Sequence, residues 1–136
     1  MTGTVTPEVR PGALESHLRA RRDGGHKLLV PYVTGGLGDW RAVVQAVVDA
    51  GADAVELGIP FSDPVMDGVT IQAASTLALR SGATPIGIIA EASLLEVDVP
   101  LVVMTYTNPV GHMGYRRFAA ALHDSCLLYT SPSPRD

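Results

Sequence analysis

One cysteine, Cys126, is the chain's whole thiol complement, which excludes an internal disulfide framework and fits a reducing compartment. No stretch reaches the roughly 18 consecutive apolar residues of a membrane span, and the opening MTGTVTPEVR lacks a signal-peptide core. A cytoplasmic protein is expected. Positive charge is scarce as well: 10 Lys and Arg against 14 Asp and Glu give a formal net charge of −4, so the basic footprint of a nucleic-acid binder is missing. The only basic cluster, Arg19, Arg21 and Arg22, reads as a solvated helix end rather than an anion site. His17, His26, His112 and His123 show no metal-ligand spacing, and Asp63 with Asp67 is too sparse for a divalent ion. No metal site is expected.

What remains is an ordinary core-forming composition. The chain has 136 residues, 46% of them hydrophobic, enough for one domain. Strands and helices alternate along it. PGALESHLRARRDGG sets Leu14 and Leu18 one turn apart and closes on Gly24 and Gly25, predicting a short amphipathic helix. KLLVPYVTGG, DAVELGIP and VPLVVMTYTNP read as three strands. Between the first two, Asp39 is a plausible N-cap, and Trp40, Val43, Val44, Val47 and Val48 share one helical face. A third helix is expected over about residues 69–80. Thr84 and Pro85 have the N-cap and N1 chemistry to open another through about Glu96. Finally, Tyr115, Phe118, Ala119 and Leu122 fall at helical spacing.

Alternation of this kind implies parallel βαβ units, in either an open doubly wound sheet or a (β/α)8 barrel. A dinucleotide fingerprint is the obvious candidate for the first, because GLG at residues 36–38 follows a strand and precedes Glu56 by about 20 positions. It fails at Arg41, where close helix–strand packing needs a small residue. Pro31 also counts against a central first strand, since it cannot donate a ladder hydrogen bond.

The informative stretch is AVELGIPFSDPVMDG, residues 54–68. Period-2 alternation puts Val55, Leu57 and Ile59 on one side, suited to a helical layer, and Ala54, Glu56 and Gly58 on the other. A carboxyl group on that inner side is either paired with a buried partner such as a lysine or a backbone N–H, or desolvated with a raised pKa suited to proton transfer. Position favours chemistry: Thr34, Glu56 and Tyr106 all fall toward the C-terminal ends of successive parallel strands, where barrel enzymes place their reacting groups.

PYVTGG, AGADAVELGIPFSDPVMDG, TIQ with GATP, and MTYTNPV together resemble, in order and spacing, the tryptophan synthase α subunit family, over about residues 12–125. The resemblance implies an α/β fold, a (β/α)8 TIM barrel truncated here to about the first three βα units plus an N-terminal helix. It implies a lyase of tryptophan biosynthesis that cleaves indole-3-glycerol phosphate to indole and glyceraldehyde 3-phosphate by a retro-aldol reaction. Glu56 would be the catalytic acid/base, and Asp67 would accept a hydrogen bond from the indole N–H. Tyr32, Met104 and Tyr106 match substrate-pocket positions, each equally readable as core packing. Asp63, Pro64 and Asn108 match positions facing the β subunit, although Asp63 also suits a turn. No cofactor is implied in this chain, and pyridoxal phosphate belongs to the partner β subunit.

Departures accompany the matches. Val69 replaces the proline usual after DG in the family. A full barrel takes about 250 residues, and the lid and glycine-rich phosphate site lie in the half not represented here. Residues 1–11 are expected to be disordered, and CLLYTSPSPRD, residues 126–136, whose Ser-Pro-Ser-Pro run fits neither strand nor helix, reads as a non-native tail. A fragment of this kind is expected to be poorly stable and inactive alone. Two other classes stay open, a different phosphate-sugar barrel enzyme and a noncatalytic half-barrel that binds a partner subunit.

Overall fold

Each apolar run between helical segments becomes a parallel strand in the computed structural model, which describes residues 12–125 and 127–130. Residues 1–11, Cys126 and residues 131–136 lie outside the described residues, and with them the disorder expected at the N-terminus and most of the expected non-native tail. Helix α1 (Ala13–Asp23) closes through Gly24 and Gly25, the latter at φ +86°, a left-handed position that suits glycine. Strand β1 (Tyr32–Thr34) leads to α2 (Trp40–Asp49), where the Asp39 carboxylate accepts from the Ala42 N–H at 3.4 Å. Strand β2 (Val55–Gly58) is followed by α3 (Val69–Arg80) and α4 (Pro85–Ala92), the latter opened by the Thr84 hydroxyl accepting from Gly87 N–H at 3.1 Å. Strand β3 (Leu101–Met104), α5 (Thr107–Met113), α6 (Tyr115–Asp124) and β4 (Leu128–Thr130) complete the described chain.

Several elements depart from expectation for identifiable reasons. Strand β1 begins only after Pro31, which has no N–H to give, although the Leu29 and Pro31 carbonyls still accept from Asp53 and Glu56 at 2.8 and 2.9 Å. The third strand stops at Met104, and its expected C-terminal part is helix α5. Pro109 fits there because the first turn of a helix has N–H groups without helical partners. Helix α4 ends at Ala92, where the Ser93 hydroxyl turns back onto the Ala90 carbonyl at 2.6 Å. Residues 128–130, just before the Ser-Pro run, pair with β3 as a fourth strand. Val43, Tyr115 and Ala119 are exposed, and their helices bury Trp40 with Val44 and Phe118 with Leu122 instead.

The sheet runs β1-β2-β3-β4, all parallel, with no reversal of order. A doubly wound sheet reverses at a switch point and covers both faces. Here every crossover adds the next strand on the same side, as in a barrel wall. Val33, Val55, Leu57, Ile59 and Val103 join Trp40, Val44, Ile88, Ile89, Phe118 and Leu122 in one buried cluster between sheet and helices. The other face carries a row in register, Tyr32, Glu56, Val102 and Leu128, and a second row at Thr34, Gly58 and Met104. Alternation therefore gives Glu56 the face opposite the helices, as its neighbours required.

Candidate active site

Glu56 is half-buried on that inner face, and its carboxylate forms no hydrogen bond or ion pair with any described residue. Pairing with a buried lysine or main-chain donor is thus excluded among the described residues. Its register neighbour is Tyr32, whose ring leans toward the C-terminal end of the sheet and lies over Gly58. A Cβ at position 58 would overlap the Tyr32 hydroxyl, so glycine is what lets the ring lie there.

The segment after β2 folds back over the strand ends and is anchored by Tyr106. Phe61 packs against the Tyr106 ring with centroids 5.2 Å apart and planes tilted by 34°. The Met66 N–H donates to the Tyr106 hydroxyl at 3.0 Å. Inside the loop, Val65 N–H donates to the Asp63 carbonyl at 2.8 Å and Asp67 N–H to the Pro64 carbonyl at 3.0 Å. The Asp63 carboxylate accepts from the Ser62 hydroxyl at 3.1 Å. These contacts bring Asp67 back to the sheet.

Tyr32, Ile59, Asp67, Met104, Thr105 and Tyr106 line one small cavity of about 10 Å³, room for about one water. Electrostatics ties the residues together. Burial raises the Tyr32 phenol above its ordinary pKa of 10.0; a Thr34 hydrogen bond opposes this, and the charges of Asp67 and Glu56 add to it. Burial likewise raises Tyr106; the Met66 N–H opposes this and the Asp67 carboxylate reinforces it. Both hydroxyls therefore hold their protons at neutral pH. Tyr32 thus feels two carboxylates from different elements, Glu56 on a strand and outside the cavity lining and Asp67 on a loop within it.

Asp63, Pro64 and Asn108 stand apart from this cavity. Asp63 is exposed and Pro64 half-buried on the outside of the loop, and Asn108 is exposed in the first turn of α5. Asn108 lines a larger groove of about 660 Å³ together with Phe61, Ser62, Ile86, His112 and Arg117.

At the opposite end of the strands lies a cluster that the sequence reading passed over. Asp53 is 3% exposed, and its carboxylate accepts from Arg21 Nε and from the Leu29 N–H, each at 2.8 Å. Its carbonyl accepts from His17 Nε2 at 2.8 Å. The Leu29 N–H and then Arg21 hold the Asp53 carboxyl below its ordinary pKa. Arg21, expected to be a solvated helix end, instead ties α1 to the sheet. An aspartate just before a strand carried no local signal of this, since its partners lie 24 to 36 residues away. Among the described residues no group of three or more His, Cys, Asp or Glu could hold a metal ion, and no helix is long and apolar enough to cross a membrane.

Comparison with known proteins places this arrangement in one family. The family model for the tryptophan synthase alpha chain matches residues 18–127. The tryptophan synthase alpha chain of Marinobacter nauticus is 39% identical over 118 residues, covering 82% of this chain and 44% of the relative. That of Methanosarcina mazei is 48% identical over 104 residues, covering 74% of this chain and 37% of the relative. A solved tryptophan synthase from M. tuberculosis superposes with a TM-score of 0.84 at 32% identity, covering 93% of this chain and 52% of the other. The chain thus spans less than half the length of these curated relatives.

Proposed function

The chain belongs to the tryptophan synthase alpha chain family, and from that premise we propose that it carries the acid/base half of a retro-aldol lyase acting on indole-3-glycerol phosphate. The single observation that supports this best is that Tyr32 stands beside both carboxylates, in register with Glu56 on the neighbouring strand and lining one cavity with Asp67 from the loop.

In this reading the Glu56 carboxyl protonates C3 of the indole ring, giving an indolenine still protonated on nitrogen, a cation. The bond from C3 to the glycerol chain then breaks, its electron pair returning to the ring. The adjacent glycerol hydroxyl gives up its proton to the Glu56 carboxylate and becomes the aldehyde of glyceraldehyde 3-phosphate. Glu56 ends as it began, and indole leaves. Asp67 accepts a hydrogen bond from the ring N–H as that nitrogen grows more acidic, a task for an ionised carboxylate on a movable loop. Tyr32, Met104 and Tyr106 form the walls around the reacting carbon. The cavity admits about one water as it stands, so the loop over residues 59–68 lifts to admit an indole ring.

The reaction needs no cofactor from this chain. The partner is a β subunit holding pyridoxal phosphate, met through Asp63, Pro64 and Asn108 on the outer side of the loop and the start of α5. The test is a chimera in which residues 18–127 replace the matching segment of a curated relative. Indole release from indole-3-glycerol phosphate, lost in both Glu56→Gln and Asp67→Asn, is the expected result. A chimera that folds and releases no indole, or one that ignores both substitutions, overturns the reading.

A further inference from the structure

Helix α3 begins at Gly68, an N-cap residue with no side chain to bind the first turn. A glycine there leaves the junction between loop and helix free to pivot. One contact removes that freedom. Gln72, half-buried in the second turn of α3, reaches back so that its Nε2 donates to the Asp67 carbonyl at 2.8 Å. On the other side of Asp67, its own N–H donates to the Pro64 carbonyl at 3.0 Å and, one peptide earlier, the Met66 N–H donates to the Tyr106 hydroxyl at 3.0 Å, so the main chain is held both before and after Asp67, by the loop and Tyr106 on one side and by the helix on the other.

We propose that Gln72 is a positioning residue: by gripping the Asp67 main chain opposite Tyr106, it fixes the direction in which the loop presents the Asp67 carboxylate. This rests on the role given to Asp67 above. The physical logic is one of lever and clamp. A carboxylate on a loop loses aim if its peptide plane rotates, and a small misplacement of a reacting group costs far more rate than binding. The amide of Gln72 suits the task because it donates to a carbonyl without bringing a charge that would neutralise Asp67.

The test uses Gln72→Met, equal in length without a donor, and Gln72→Asn, one methylene too short to reach. Amide hydrogen exchange over residues 62–68 of the 136-residue chain is expected to quicken about tenfold in both, as loss of one hydrogen bond predicts. Exchange elsewhere and the thermal midpoint stay unchanged. In the chimera, kcat for indole release falls by a similar factor and KM holds. Unchanged exchange in both variants overturns the proposal, as does unchanged kcat in an active chimera. Faster exchange shared by all of α3 with a lowered midpoint also overturns it, since Gln72 would then be only a helix cap. Asp67→Asn keeps the main-chain clamp and so keeps the exchange protection. Undiminished indole release from Asp67→Asn in the chimera would thus count against the Asp67 chemistry while exchange still judges Gln72.

Discussion

Asp53 and Glu56 sit in one short segment and could hardly be treated more differently. Asp53, at the N-terminal end of the strands, is sealed in by a guanidinium and a main-chain N–H, and its carbonyl takes a third bond from His17. Glu56 lies farther along and on the face away from the helices, and its carboxylate has no hydrogen-bonding or ion-pairing partner among the described residues. A satisfied carboxylate cements structure, whereas an unsatisfied one is available for chemistry. The contrast matches the division of a barrel into a stabilising end and a reacting end.

The contrast can be broken by substitution. The largest effect is expected from Glu56→Gln in the chimera, which should cost about 10²- to 10⁴-fold in indole release, the usual worth of a positioned acid/base. Its thermal midpoint should hold, since no partner is lost. Asp53→Asn should do the reverse, lowering the midpoint by several degrees in a melting scan while leaving the Tyr32 surroundings intact. If the Glu56 variant melts early and the Asp53 variant does not, the two ends have been assigned the wrong way round.

Acid sharpens the same comparison. The folded-state pKa of Asp53 is depressed, so its contribution to stability is complete above its ordinary value of 3.8 and is lost as pH falls below that through the lowered folded value. The gap in midpoint between the parent chain and Asp53→Asn should therefore close below about pH 4 and stay constant above it. A smaller effect is expected at Gly58. Gly58→Ala pushes the Tyr32 ring off its seat and should cost about 1–3 kcal/mol in a denaturant titration, most of it recovered when Tyr32→Ala is added.

Much of this was legible from local pattern. Val69–Arg80 was readable as a helix that stops short of a glycine, and Thr84 with Pro85 announced α4. Alternation around Glu56 assigned its face correctly because only a one-residue slip could have reversed it. Helix α5 was illegible because Thr107-Asn108-Pro109 continues an apolar strand without a break, and its proline looked like a terminator rather than a first-turn residue. The short β4 was hidden by the Ser-Pro run that follows it. Asp53 with Arg21, and Tyr106 with Met66, are pairings across 32 and 40 residues. No window of local sequence contains both halves of such a contact.

Gly114 ends α5 and begins α6 as a single shared residue at φ +95° and ψ 127°. A side chain there would touch nothing within 4 Å, so the site is reserved for glycine by handedness alone. The bend it makes sets the angle between Asn108 and His112 on one helix and Arg117 on the other, all lining the same groove. The breadth of that furrow is thus decided by one hydrogen atom standing where every other amino acid carries carbon, at a residue that never meets whatever the furrow receives.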